Sequence, residues 1–367
     1  MSKRKVTILC NQLTGGGVEK VMQDVANYLA SKPELYDVTV TVLDGPDEGR
    51  ELLSDSIRIK GAFRSKAAYK KWSAAWVLFK FKQLFHVLYL MLTKHDILLV
   101  VKDQQYLRLG AHIKANVKIA WIHFNYEFFG LFTTKEKLFR YIKSFDTAIC
   151  VSQLVKDVVI SAVGDTGNLV VAYNPLNAEE IVSLANESIE PPSINSKPIF
   201  VTVSRLRENK GIMNILQSCK ELTKQYDFSL WIVGDGEDRD RLERYVKDNG
   251  ITNVCFLGWK ANPYPYIKNA DWYICASKVE TYGLTIFESD IIGTPVLAGK
   301  LEVLSECADP NGIALVENSA DGILSGMTDI LDGRLKIEIT HDLKALHKEL
   351  YTDRISKIEG IINNNQC

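Results

Sequence analysis

Short apolar runs alternate with stretches of helical period along most of the chain, and that alternation sets the architecture. Lys5 to Cys10 reads as a buried strand, the loop Asn11 to Gly17 follows, Val18 to Ser31 has the apolar spacing of a helix, and Asp37 to Leu43 is a strand again. This is a βαβ unit. Further strand-like runs fall at Ile97 to Lys102, Val117 to Ile122 and Thr147 to Val151, with helical stretches such as Lys135 to Ser144 between them. Asn174-Pro-Leu-Asn and then the polar run Glu187 to Lys197 have the composition of a linker. A second set begins there, with strands Pro198 to Val203, Ser229 to Val233, Asn253 to Leu257, Trp272 to Cys275 and Pro295 to Ala298, and helices Gly211 to Gln225 and Asp238 to Asn249. Such strands form parallel sheets covered by helices on both faces. The expectation is α/β: two Rossmann-like, doubly wound parallel-sheet domains facing a central cleft, residues 1–173 and 174–351, with the helical tail 352–367 packing back on the first.

A chain of 367 residues exceeds one hydrophobic core, which agrees with two domains. With 46% hydrophobic and 24% charged residues it is globular rather than disordered. The seven cysteines form no CxxC pair and several sit in apolar runs, as reduced core residues do. The start, Met1 to Cys10, reads as a first strand and not as a signal peptide, so a cytoplasmic protein is expected. The apolar run Leu84 to Leu92 is too short to span a bilayer.

Charge is uneven along the chain: the first domain is basic and the second acidic. No acidic residue occurs between Asp55 and Asp96, where Arg58, Lys60, Arg64, Lys66, Lys70, Lys71, Lys80, Lys82 and Lys94 are interleaved with Trp72, Trp76, Phe79, Phe81 and Phe85. Two readings of that stretch, Arg58 to Lys94, stand side by side. It docks on the anionic inner leaflet of a membrane, or it is a helix whose lysines cover an apolar core face. The pI of 6.6 and the acidic second half lack the footprint of a nucleic-acid binder.

Candidate chemistry sits where strands end. Glu280-Thr-Tyr-Gly-Leu-Thr-Ile-Phe-Glu288 follows the strand Trp272 to Cys275 and opens a helix at a glycine. The first turn of a helix presents unpaired N–H groups and the positive end of the dipole, so Gly283, Leu284 and Thr285 suit a phosphate. Glu280 and Glu288 suit vicinal hydroxyls, which together points to a nucleotide sugar; the plainer alternative is a dipole-favoured Glu288 and a solvated Glu280. The loop Ser204 to Gly211 places Arg205 and Lys210 at another strand end, where fixed cations neutralise a diphosphate. Gly15-Gly-Gly17 permits close backbone approach to a ligand or is a plain tight turn; it is neither GxGxxG nor a P-loop. His123 follows the strand ending at Ile122 and is either a sugar-binding or a structural histidine. Asp238-Arg-Asp240 mimics a metal motif, but helix capping accounts for it, and no cluster with metal-ligand spacing is present.

Glu280 and Glu288 with seven residues between them, the upstream Arg205 and Lys210, Asn174-Pro175, His123 and Gly15 to Gly17 occur in an order that resembles the retaining glycosyltransferases of family 4, which have the GT-B fold. The resemblance implies that Glu280 meets the transferred sugar and Glu288 the ribose. It also implies that Arg205, Lys210 and the amides of Gly283 to Thr285 hold the diphosphate, and that Gly16, Gly17 and His123 lie near the donor. The run Phe256-Leu257-Gly-Trp259 would lie against the base. It implies no cofactor and no metal, a nucleotide-sugar donor of the UDP-linked kind, and a lipid-linked oligosaccharide, lipopolysaccharide or related envelope glycan as acceptor. A sugar phosphorylase, a sucrose-type synthase or a catalytically silent GT-B module are the alternatives on the same fold. Two departures, Glu280-Thr-Tyr-Gly and Glu288-Ser289-Asp290, bear on donor identity.

Overall fold

The computed structural model describes residues 3–14, 16–46, 48–63, 73–101, 105–123, 134–307 and 312–364. Gly15, Lys102 and the basic or aromatic residues Arg64, Lys66, Lys70, Lys71 and Trp72 lie outside them. The chain divides into two compact units, Met1–Pro175 with Thr352–Cys367, and Leu176–Tyr351.

The first unit runs β1 (Arg4–Cys10), α1 (Gly17–Ala30), β2 (Tyr36–Val42), β3 (Arg58–Gly61), α2 (Ala74–Leu92), β4 (His95–Val100), α3 (Gln105–His112), β5 (Ala115–Ile122), α4 (Lys135–Lys143), β6 (Thr147–Cys150), α5 (Gln153–Val163) and β7 (Leu169–Val171). Its strands form one parallel sheet in the order β3-β2-β1-β4-β5-β6-β7. Ile8 stands between Val40 on β2 and Leu99 on β4, and all three are buried. A central strand of a two-faced parallel sheet has no wet side, which is why β1 and β4 read as continuous apolar runs.

The second unit runs α6 (Ala178–Ala185), β8 (Ile199–Val203), α7 (Ile212–Leu222), β9 (Ser229–Val233), α8 (Arg239–Asp248), β10 (Val254–Gly258), α9 (Tyr264–Lys268), β11 (Trp272–Cys275), α10 (Leu284–Ile292), β12 (Val296–Gly299), α11 (Leu304–Cys307), β13 (Ile313–Val316), α12 (Ala320–Leu331) and α13 (Leu343–His347). The sheet order is β10-β9-β8-β11-β12-β13, again parallel. Phe200 on β8 and Phe228 meet edge to face, 5.7 Å between ring centres, in the core between this sheet and α7.

A final helix, α14 (Arg354–Asn364), belongs to the first unit. Ile355, Ile358 and Ile362 bury one side of it. Its polar anchor is Glu359, which accepts from Lys32 Nζ at 2.5 Å, Tyr28 at 2.9 Å and Tyr36 at 3.0 Å. Burial alone raises a carboxyl, but the bonds from Lys32, Tyr28 and Tyr36 outweigh it and hold Glu359 below its ordinary value.

Three strands and one loop depart from the reading of the sequence. Arg58 and Lys60 lie on β3, an edge strand too short and too basic to show an apolar period. β7 and β13, three and four residues long, were likewise invisible as periodic runs. The run Glu187 to Lys197 does not join the two units; it lies inside the second, where Trp231 Nε1 donates to Ile194 O at 2.7 Å. Its composition reflects an irregular surface path, not a hinge.

Candidate active site

In an order such as β10-β9-β8-β11-β12-β13, the connections leave β8 and β11 toward opposite ends of the sheet, so a crevice opens beyond their carboxyl ends. The loops that follow these two strands meet there. Lys210, from the loop after β8, donates from Nζ to Glu280 Oε1, from the loop after β11, at 2.6 Å. The side chains keep only 24% and 16% of their exposure, so the pair is screened from water and short. Backbone contacts hold the loops in register: Lys278 N donates to Asn209 O at 2.9 Å, and Lys278 Nζ reaches Glu208 at 3.0 Å. Gly211 closes the first loop at φ +66°, with its Cα so close to β11 that a Cβ would stand 1.9 Å from Ala276 O. Both facts require glycine.

Gly283, at φ +85°, is the N-cap of α10, and no side chain caps that end. The amides of Leu284 and Thr285, the first two of the helix, have no carbonyl within it to bond, whereas Ile286 N already donates to Gly283 O at 3.0 Å. Tyr273 ties this turn to the neighbouring strand: its hydroxyl lies 2.9 Å from Thr285 Oγ1 and 3.2 Å from Val203 O. Complete burial pushes that phenol well above its ordinary value, so it stays a neutral hydrogen-bonding group. Cys275, at the end of β11, is pushed up to about 11 by burial and then by the charge of Glu280, which keeps it a thiol.

Glu288 is the fifth residue of α10, and the first turn of that helix contains no acid, so dipole stabilisation does not account for it. It is 5% exposed and accepts a 2.8 Å hydrogen bond from Tyr264 on α9. A carboxylate so buried needs such a donor. The neighbouring residues have packing roles. Ser289 Oγ donates to Thr285 O at 2.7 Å, and Asp290 faces His341, Nε2 to Oδ2 3.3 Å, and Gly312, where a Cβ would stand 2.0 Å from Asp290 Oδ1. Burial raises Asp290 despite His341.

The other candidates are placed as follows. Arg205 is exposed in the loop that carries Lys210, and Leu257 is half-buried near the end of the edge strand β10, before Gly258 at φ +70°. Gly16, Gly17 and His123 belong to the first unit. Gly16 caps α1 with extended backbone, and Gly17 is its first residue. His123 is buried one residue beyond β5, its ring centre 5.2 Å from that of Trp121. Asp238 occupies the N-cap of α8 but makes no capping hydrogen bond; it pairs with Arg241 at 3.8 Å, which corrects the capping account of that acid. Among the described residues no three His, Cys, Asp or Glu side chains gather as metal ligands. Sequence reasoning missed Tyr264 and Tyr273. Tyr273 had a signal, a hydroxyl in the middle of an apolar strand that leads into the glutamate loop; Tyr264 had none.

Residues 185–346, most of the second unit, match the family model described as Glycosyl transferases group 1. The fold is therefore that of two Rossmann-like units, as in GT-B proteins, and most of the second unit is similar to group 1 glycosyltransferases. Among curated proteins, the lipopolysaccharide core biosynthesis glycosyltransferase LpsE of Rhizobium meliloti is 28% identical over 163 residues, 44% of this chain and 46% of that protein. The lipopolysaccharide 1,6-galactosyltransferase of Salmonella typhimurium is 22% identical over 210 residues, 54% of this chain and 55% of that one. The chain thus spans about half the length of such relatives. Among solved structures, Anabaena HepE in complex with UDP and glucose superposes with a TM-score of 0.74 at 18% identity, over 98% of this chain and 99% of that one.

Proposed function

We propose that this protein is a retaining glycosyltransferase of family 4. It moves a hexose or N-acetylhexosamine from a UDP-sugar to a lipid-linked oligosaccharide, lipopolysaccharide or related envelope glycan, at the cytoplasmic face of the membrane. The observation that carries the reading is the Lys210–Glu280 pair at the switch point of the second sheet, beside the uncapped end of α10. The names of the relatives support the envelope acceptor, and the UDP and glucose held by HepE support the donor.

In this reading Lys210 and Arg205 neutralise the charge that grows on the departing diphosphate, and the amides of Leu284 and Thr285 take its oxygens. Glu288, oriented by Tyr264, accepts from ribose hydroxyls. Glu280, positioned by Lys210, accepts from the sugar undergoing transfer. Because side chains supply the positive charge, transfer proceeds with a chelator present.

The test is a thermal-shift panel of UDP, GDP, ADP and their sugar conjugates, followed by transfer assays in EDTA. Selective stabilisation by one UDP-sugar is expected, since a ligand bound only to the native state raises the midpoint. No shift with any nucleotide, or transfer that stops in EDTA, contradicts the proposal.

A further inference from the structure

Helix α2 has two apolar faces. One is anchored: Phe79 and Leu90 are buried, Gln83 Nε2 donates to Leu43 O at 2.8 Å, and His95, packed at the start of β4, lies with Nε2 2.9 Å from Leu90 O. The other turns outward. Leu78, Phe81, Leu84, Phe85, Leu88 and Leu92 are between 47% and 83% exposed. At 3.6 residues per turn these six fill an arc of about 120°, and Lys80 and Lys82 stand about 40° beyond its two edges. A soluble surface rarely leaves so many large apolar side chains together without a partner.

The helix is 19 residues long and apolar enough to cross a membrane by length and composition. The topology forbids it. β3 and β4 flank α2 in the chain, and both pair into the same parallel sheet, β3 on β2 and β4 on β1. Both ends of α2 therefore return to one side, and the helix can only lie along a surface.

Charge selects that surface. No carboxylate occurs between Asp55 and Asp96; Lys80 and Lys82 flank the face, Lys60 reaches it at Tyr89, and Arg58 on β3 is paired with Asp37 at 2.7 Å. Lys60 sits over the ring of Tyr89 and donates to its hydroxyl at 2.8 Å, so the cation and the aromatic share one position at the rim. An apolar strip edged by lysines and aromatics matches the boundary between acyl chains and anionic headgroups. We infer that α2 is an in-plane membrane anchor: its six outward apolar side chains enter the acyl boundary of an anionic bilayer, and Lys80 and Lys82 meet the headgroups. This deepens the membrane location in the function proposed above and is independent of the transfer chemistry.

The experiment is sedimentation of the full chain with vesicles of phosphatidylcholine, with and without phosphatidylglycerol. Pelleting that strengthens with phosphatidylglycerol is expected. The double variant Phe81→Glu, Phe85→Glu should weaken binding about a hundredfold, from the lost burial of two aromatic side chains, with an unchanged melting midpoint. Lys82→Glu should weaken it about tenfold on phosphatidylglycerol vesicles and little on phosphatidylcholine. Failure to pellet with either vesicle overturns the inference, and so does a concentration-dependent dimer that the double variant dissolves. The vesicles contain no nucleotide sugar or glycan, so either result leaves the transfer proposal to its own test.

Discussion

The two sheets share an order, 3-2-1-4 from one edge inward, yet they use it differently. In the second unit the loops after β8 and β11 bring a lysine and a glutamate within 2.6 Å, fixed by a glycine that packs against Ala276, the residue after β11. In the first unit the loop after β1 is closed by packing: Leu13 is buried, and its carbonyl accepts from Gln23 Nε2 at 2.6 Å. The first unit presents its unusual chemistry elsewhere, on the outward face of α2. A common scaffold therefore fixes where loops converge, and the residues placed there decide whether the convergence is a charged site or a piece of core.

The largest effect expected from breaking this contrast is at the ion pair. Lys210→Ala should lower transfer by roughly a hundred- to a thousandfold, as for other fixed charges aimed at a developing anion, while circular dichroism stays native. A loss below tenfold would show that the pair is structural only. Next is Gly211→Ala, which forces a Cβ against Ala276 O at a positive φ; destabilisation of about 2–3 kcal/mol in denaturant melts is expected. An equivalent change at Gly16, whose φ is 172°, should cost far less.

Tyr264→Phe removes the donor to buried Glu288, a loss of about 1–2 kcal/mol in nucleotide affinity, read by calorimetry as roughly tenfold weaker UDP binding. An unchanged affinity would move Glu288 out of the binding site. The smallest effect belongs to the first unit. Glu359→Gln should cost about 1 kcal/mol at neutral pH, discounted for partial solvent access. Glu359 lies below its ordinary value when folded, so its stabilisation is present above the unfolded value of 4.5 and is lost as pH falls through the folded one. The melting difference between wild type and variant should therefore close in acid; a constant difference would mean that the loss is steric.

Much of this was legible in the residues. The strand Ser229 to Val233 and the strand Trp272 to Cys275 have the bounds their apolar runs indicated, because strands buried on both faces leave an uninterrupted signal. β3 and β13 were not legible, since edge strands are short and need little apolar content. The stretch Arg58 to Lys94 pulled two ways in sequence, membrane surface or core cover, and the structure decided only that most of the large side chains of α2 are not in the core. Composition reports which residues are apolar; it does not report which faces of a helix find a partner.

Two parallel α/β units follow from the alternation of apolar runs and helical periods along the chain, and the candidate chemistry at strand ends follows from the ordered loops Ser204 to Gly211 and Glu280 to Glu288. That Lys210 bonds Glu280, that Tyr273 braces the turn at Thr285, that Tyr264 holds Glu288, and that α14 is fastened by Glu359 comes from the folded arrangement alone. Periodicity is local and survives in the chain order, whereas contacts across tens or hundreds of residues depend on strand order and register, which no single stretch of sequence contains.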